Sequence, residues 1–265
     1  MSTAKDAKRV VIKVGTSTLA HPTGHINIRL MEELVKVMSD LQNSGRQLVL
    51  VTSGAIGVGA GKLGLRERPR DIPGKQAAAA VGQCELMYLY DQYFSAYNHT
   101  VGQVLLTNYS LQDQESRENV RNTFEALLDL GAIPVVNEND TVATDEIRVG
   151  DNDTLSAIVA QVIGADCLII LSDIDGLYDR NPAADPGARL VPEVSVIDDA
   201  LLATAGGAGS GLGTGGMLTK LHAARIVQRA GGDTYIINGK HPALLYDLMD
   251  GRSVGTHFLG EGVDA

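Results

Sequence analysis

Six short apolar, β-branched runs punctuate the chain: 10–14 (VVIKV), 48–51 (LVLV), 101–106 (VGQVLL), 132–136 (AIPVV), 167–171 (CLIIL) and 234–237 (TYII). Their apolar positions are continuous rather than alternating, as expected of strands covered on both faces. Between them the apolar residues recur at three- and four-residue steps. Over 28–41, Ile28, Met31, Leu34, Val35, Met38 and Leu41 line one helical face, and Gly45 follows as a C-terminal stop. Residues 115–130 repeat the pattern and end at Gly131, and 153–163 and 216–230 predict two further helices. Strands alternating with helices in this order predict an α/β fold, a mainly parallel sheet sandwiched between helices. Ligands of such sheets bind beyond the carboxyl ends of the strands, so the residues just after each run are where chemistry is expected.

Composition narrows the picture. A chain of 265 residues can bury a sizeable core as one large α/β domain or a domain with lobes. Lys and Arg number 22 against 32 Asp and Glu, a net charge of -10, and no basic run interrupts the acidic background. With aromatics at 4% and no Trp, a nucleic-acid surface is not indicated. Any bound phosphate must be held by a few placed lysines and backbone amides. Cys84 and Cys167 form no CxxC pair, so neither a disulfide framework nor a zinc site is expected, and Cys167 reads as a buried small hydrophobe. The polar opening MSTAKDAKR leads into an apolar run too short for a signal peptide or a span. The expectation is a cytoplasmic protein with no membrane partner.

Five strand-end loops carry the candidate chemistry. In the first, Lys13 stands late in a buried strand ahead of Gly15. Its ammonium must either emerge at a polar site or snorkel from an edge strand. The second, Ser53-Gly54-Ala55, is a turn whose amides and hydroxyl could hold a carboxylate at the start of the next helix. It runs on into a formal GxGxxG at Gly59, Gly61 and Gly64. That match to a dinucleotide fingerprint is poor, because Thr52–Val58 separates it from the strand and no acidic residue ends a second strand about 20 positions on. The third crowds carboxylates and amides into Asn137–Thr141 and Asp151–Ser156. Asn152 or Asp153 could cap a helix there, and Asp140 with Asn152 could grip the ammonium of an amino acid. A metal site drawn from separate segments is also conceivable, without EF-hand spacing. The fourth places Ser172 and Asp173 after the strand 167–171, ahead of a Gly turn. The fifth, Gly206–Gly216, is a linker or a phosphate loop. It leads through Thr214, Gly215, Gly216, Met217, Leu218 and Thr219 to Lys220, one turn into the following helix.

Read together, VKVGTS, VTSGAIG, NENDTV, VGDNDTLSA, SDIDGLYDRNP and GTGGMLTK resemble the glutamate 5-kinase family of the amino acid kinase superfamily, over nearly the whole chain. The resemblance implies a three-layer α/β/α sandwich formed by a single domain over 1–265, with glutamate held mainly by the N-terminal part and ATP by the C-terminal part. It implies Lys13 and Lys220 as neutralisers of the transferring phosphoryl group, with Asp153 orienting them. Ser53, Gly54, Ala55, Asp140 and Asn152 would hold glutamate; Lys13, Ser172, Asp173 and Thr214–Lys220 would contact ATP. Mg²⁺ is the implied companion ion, its ligands unassigned, and proline the implied feedback inhibitor. A homo-oligomer (dimer or tetramer) and a glutamyl phosphate reductase are the implied partners. Two departures stand out. Ser172 occupies a position where Thr is usual, and 265 residues leave no room for the C-terminal PUA domain of many bacterial members.

Three rival readings remain at this point. One is a kinase of the same fold acting on acetylglutamate or UMP, although an acetylated amine offers Asp140 no ammonium. Another is an NAD-dependent oxidoreductase using Gly59–Gly64. The third is an amino-acid sensor without turnover, for which two lysines around a glycine loop are superfluous.

Overall fold

A computed structural model describes residues 4–21, 23, 25–142, 151–206 and 216–261. The strands are β1 (Arg9–Val14), β2 (Gln47–Val51), β3 (Val101–Leu106), β4 (Ile133–Glu138), β5 (Cys167–Ser172), β6 (Glu193–Val194), β7 (Asp233–Asn238) and β8 (Thr256–Phe258). The helices of the first half are α1 (Thr16–Leu19), α2 (Ile28–Asn43), α3 (Ala55–Lys62), α4 (Ile72–Ser95), α5 (Asn108–Gln112) and α6 (Gln114–Asp129). Those of the second half are α7 (Asn152–Val162), α8 (Asp199–Gly206), α9 (Met217–Arg229) and α10 (Leu244–Met249). The order across the sheet is β3-β4-β2-β1-β5-β7-β8-β6. The first six of these strands run parallel, and only β7–β8 is antiparallel.

Alternate residues of each central strand feed two separate cores. Val10, Ile12, Leu48, Leu50, Cys167 and Ile169 face α2, α4 and α10. Val11, Val49, Val51, Leu168 and Ile170 face α6, α7 and α9. This is the three-layer α/β/α sandwich that continuous apolar strands predict. All six predicted strands and all four predicted helices are present, with ends shifted by at most two residues. Gly45 and Gly131 stop α2 and α6 at positive φ (94° and 74°), where a left-handed residue closes the last turn.

One expectation changes, the cap of α7, and two readings left open are resolved. The helix start at DNDT is capped by Asp151, whose carboxylate accepts from the Thr154 N–H at 2.9 Å; neither Asn152 nor Asp153 caps it. Lys13 is not on an edge, since β1 is flanked by β2 and β5. The GxGxxG stretch is no dinucleotide loop, because Gly59 and Gly61 lie inside α3. Gly59 is there for packing: a Cβ on it would stand 1.8 Å from the Ala78 carbonyl oxygen, and one on Gly82 would stand 1.8 Å from that of Ala55. The two helices therefore meet backbone to backbone. No helix among the described residues is long and apolar enough to cross a membrane.

Candidate active site

The parallel strands point their carboxyl ends the same way, so Lys13, Ser53, Asp140 and Ser172 gather along the edge formed by those strand ends with the N-termini of α3, α7 and α9. Helix N-termini add partial positive charge and unpaired N–H groups, a setting suited to anions.

The centre of this edge is charged. Asp153, in the first turn of α7, has a side chain only 1% exposed. One of its oxygens pairs with Lys13 Nζ at 2.6 Å, and the other accepts from Lys220 Nζ at 3.0 Å. The Thr219 hydroxyl lies 2.9 Å from the same oxygen as Lys220. Burial alone would raise the Asp153 carboxyl, but Lys13 and then Lys220 outweigh it and hold the group below its ordinary range. Asp153 is thus ionised at neutral pH, and the three side chains together carry a net positive charge. Lys13 comes from the first strand and Lys220 from a helix more than two hundred residues later; one carboxylate aligns both. Asp151, next to this cluster, is pushed the other way by burial, with the Asp153 charge adding to the rise.

Beside the charges lies a neutral centre. Asn152 Nδ2 donates to the Thr52 carbonyl at 2.6 Å, to Ser53 Oγ at 2.8 Å and to Asn137 Oδ1 at 3.0 Å. It thereby fastens the ends of β2 and β4 to the start of α7. Gly54 caps α3 at φ 97°, a left-handed conformation that presents the Ala55 end of that helix to the site. Asp140 stands half-buried in the turn after β4. The sequence-predicted residues therefore fall into two adjoining groups, Lys13–Asp153–Lys220–Thr219 and Ser53–Gly54–Ala55–Asn152, with Asp140 at the same edge of strand ends.

Ser172 and Asp173 end β5, where Ser172 Oγ donates to Asp173 Oδ1 at 3.3 Å. Gly216 precedes α9, and Met217 and Leu218 open it, half-buried. Thr214 and Gly215 lie outside the described residues. Sequence reasoning passed over two residues of α4. Gln83 accepts from Asn137 Nδ2 at 2.8 Å, and Tyr90 Oη lies 2.8 Å from Thr52 Oγ1. The one available signal was an isolated amide after the small-residue run AAAAVG.

The amino acid kinase family profile matches residues 8–238. Glutamate 5-kinase of Listeria innocua is 54% identical over 97% of this chain and 95% of its own length. Glutamate 5-kinase of Clostridium perfringens is 50% identical over 97% of each. Among solved structures, carbamate kinase from Giardia lamblia bound to AMP-PNP superposes with a TM-score of 0.67 at 17% identity, over 97% of this chain and 100% of its own. UMP kinase from Bacillus anthracis does so with a TM-score of 0.66 at 17% identity, over 97% of each chain. The structural likeness speaks for the fold alone. The family profile and the two relatives, at half identity or better along almost their whole length, go further: the chain belongs to the amino acid kinase family and, within it, to the glutamate 5-kinases.

Proposed function

We infer that the chain transfers the terminal phosphoryl group of ATP to the side-chain carboxylate of L-glutamate, giving ADP and L-glutamyl 5-phosphate, the first step of proline biosynthesis. The observation that carries the reading is the convergence of Lys13 and Lys220 on Asp153, at the edge where three helices begin.

A carboxylate is already an anionic nucleophile at neutral pH, so the reaction needs no general base. What it needs is alignment and neutralisation of the charge on the transferring oxygens and the leaving phosphate. Lys13 and Lys220 supply that charge, and Asp153 keeps both ammonium groups aimed. Ser53, the Gly54–Ala55 helix start, Asp140 and Asn152 hold glutamate: helix amides suit its carboxylate, and the Asp140 carboxylate with the Asn152 carbonyl suits its ammonium. Ser172, Asp173 and the stretch Thr214–Lys220 receive ATP. Glutamate contacts thus come from the N-terminal part of a single domain and ATP contacts mainly from the C-terminal part.

Among the described residues no three His, Cys, Asp or Glu side chains converge into a cation cage. The residues fit Mg²⁺ as a companion of the ATP phosphates rather than as a resident ion, the usual habit of a cation that sheds its water reluctantly. Proline as end-product inhibitor, a homo-oligomeric assembly and a reductase that takes over the labile acyl phosphate complete the reading.

The test is ADP release with glutamate, acetylglutamate, aspartate and UMP offered separately, with hydroxylamine trapping any acyl phosphate. Glutamate alone should yield a hydroxamate. ADP release with UMP or acetylglutamate, and none with glutamate, would overturn the assignment.

A further inference from the structure

We propose that Gln83 is a positioning residue for glutamate, holding the Asn137 and Asn152 amides in the direction that neighbouring main-chain groups dictate; this rests on the reading of Asn152 as a glutamate contact. The two ends of a carboxamide have nearly the same shape and opposite hydrogen-bonding character, so a binding amide is useful only if its orientation is specified. Here main-chain groups specify it at both ends. Asn137 Oδ1 accepts from the Glu138 N–H at 2.9 Å, and an N–H can only donate. The Asn137 NH₂ must therefore face the other way, where Gln83 Oε1 accepts it at 2.8 Å. Asn152 Nδ2 meets the Thr52 carbonyl, which can only accept, and also Asn137 Oδ1. The NH₂ end of Asn152 is committed to the protein, which leaves its carbonyl end for a ligand's donor. The ammonium of an amino acid is such a donor.

Gln83 has no comparable reason to be there for packing. It is 8% exposed on a face of α4 that also carries Ala79, Leu86, Tyr90 and Phe94, where a hydrocarbon would cost less to bury. Its Nε2 is buried and has no hydrogen-bond partner among the described residues. Only the acceptor end is used. A half-satisfied amide kept in an apolar face is what a site residue looks like when function outweighs stability. Without that acceptor the NH₂ of Asn137, itself 2% exposed, is stranded, and the amide must turn away from Asn152 to find another partner.

Gln83→Met removes the acceptor at similar volume, whereas Gln83→Glu keeps it and exchanges the unpartnered nitrogen for a second, ionisable carboxyl oxygen. The methionine variant should raise the glutamate KM about tenfold, the weight of one buried hydrogen bond, with kcat and the ATP KM changed less than about threefold. The glutamate variant should restore the glutamate KM to within about threefold of native. A native glutamate KM in Gln83→Met, a parallel rise in the ATP KM, or a Gln83→Glu protein as impaired as Gln83→Met would overturn the proposal. If Gln83→Met does not fold, the relay is tested through its other member. Asn137→Asp faces residue 83 with an acceptor, so adding Gln83→Glu sets two acceptors against each other. The double variant should show a glutamate KM about tenfold above the Asn137→Asp single, and equal values overturn the proposal. A native chain that forms no hydroxamate from glutamate removes the proposed function itself; impaired variants of an active native chain bear only on Gln83.

Discussion

Asp153 and Asn152 are neighbours at the start of α7, and they hold two centres of different chemistry. Asp153 draws two ammonium groups from opposite ends of the chain into a cluster almost sealed from water. Asn152 ties together the tips of β2 and β4 with neutral bonds alone. The division matches the demands of the reaction. Charge that develops while a phosphoryl group moves is best met by fixed opposite charge in a site that excludes water. A substrate that must be recognised and then released is better met by neutral groups of fixed polarity. One helix start serves both because consecutive residues of a first turn point in different directions.

The largest effect should come from breaking the charged centre. Lys220→Ala and Lys13→Ala should each lower kcat on the order of 100-fold or more while raising the glutamate KM far less. Steady-state kinetics on the purified variants decides it, and near-native kcat in Lys220→Ala would detach that residue from the chemistry. Asp153→Asn is next. It leaves two buried lysines facing an amide, so kcat should fall about 10- to 100-fold. The fold should also lose about 3–5 kcal/mol, the usual cost of stripping one partner from a buried ion pair. The pH dependence has a definite sign. A carboxyl held below its ordinary value when folded adds stability that is complete above the unfolded value and lost as pH falls through the folded one. The gap in unfolding free energy between native and Asp153→Asn should therefore be flat above about pH 5 and narrow below about pH 4. A gap that persists unchanged into acid would mean that the Asp153 charge is not what the lysines hold.

The neutral side should respond differently. Asp140→Ala should raise the glutamate KM about tenfold or more and spare kcat by comparison, since it removes binding common to ground and transition states. A large loss of kcat at unchanged KM would move Asp140 across the divide into the phosphoryl-transfer group.

Both centres were partly legible: Lys13, Ser53, Asp140 and Asn152 stood out in their strand-end loops, while the link through Asp153 came only with the family resemblance. A lysine inside VVIKV violates the composition of a buried strand, and the violation itself points to a ligand. The strands were legible because burial on both faces leaves uninterrupted apolar runs. Helix α4 was not, although it has 24 residues. Its stretch IPGKQAAAAVGQ opens with Pro and Gly, and small residues spread over its surface give no three-four rhythm. Only the backbone contact of Gly59 and Gly82 explains why small residues are needed there, and that contact is tertiary. The cap at DNDT was ambiguous for another reason: three consecutive side chains can all cap a helix, and the approach of the chain selects Asp151. Strands β6 and β8, of two and three residues, are too short to leave any periodic trace.

The smallest expected effect sharpens the comparison most. Tyr90 lies two turns beyond Gln83 on α4, is fully buried, and its hydroxyl pairs with Thr52 Oγ1. Burial drives its phenol well above the ordinary range, so it stays neutral and its only polar role is that bond. Thr52 contributes its carbonyl, not its hydroxyl, to Asn152, so Tyr90 supports the tip of β2 without setting any amide's direction. Tyr90→Phe strands the Thr52 hydroxyl and should cost about 1–2 kcal/mol of stability, read by chemical denaturation. The glutamate KM should move less than about threefold. Two polar residues on one helix face, at similar depth, would then differ in kind: one loss read mainly in substrate affinity, the other mainly in folding. If Tyr90→Phe weakened glutamate binding as much as Gln83→Met, the direction of the amides would not be the operative variable, and general loosening of the β2 and β4 tips would account for both.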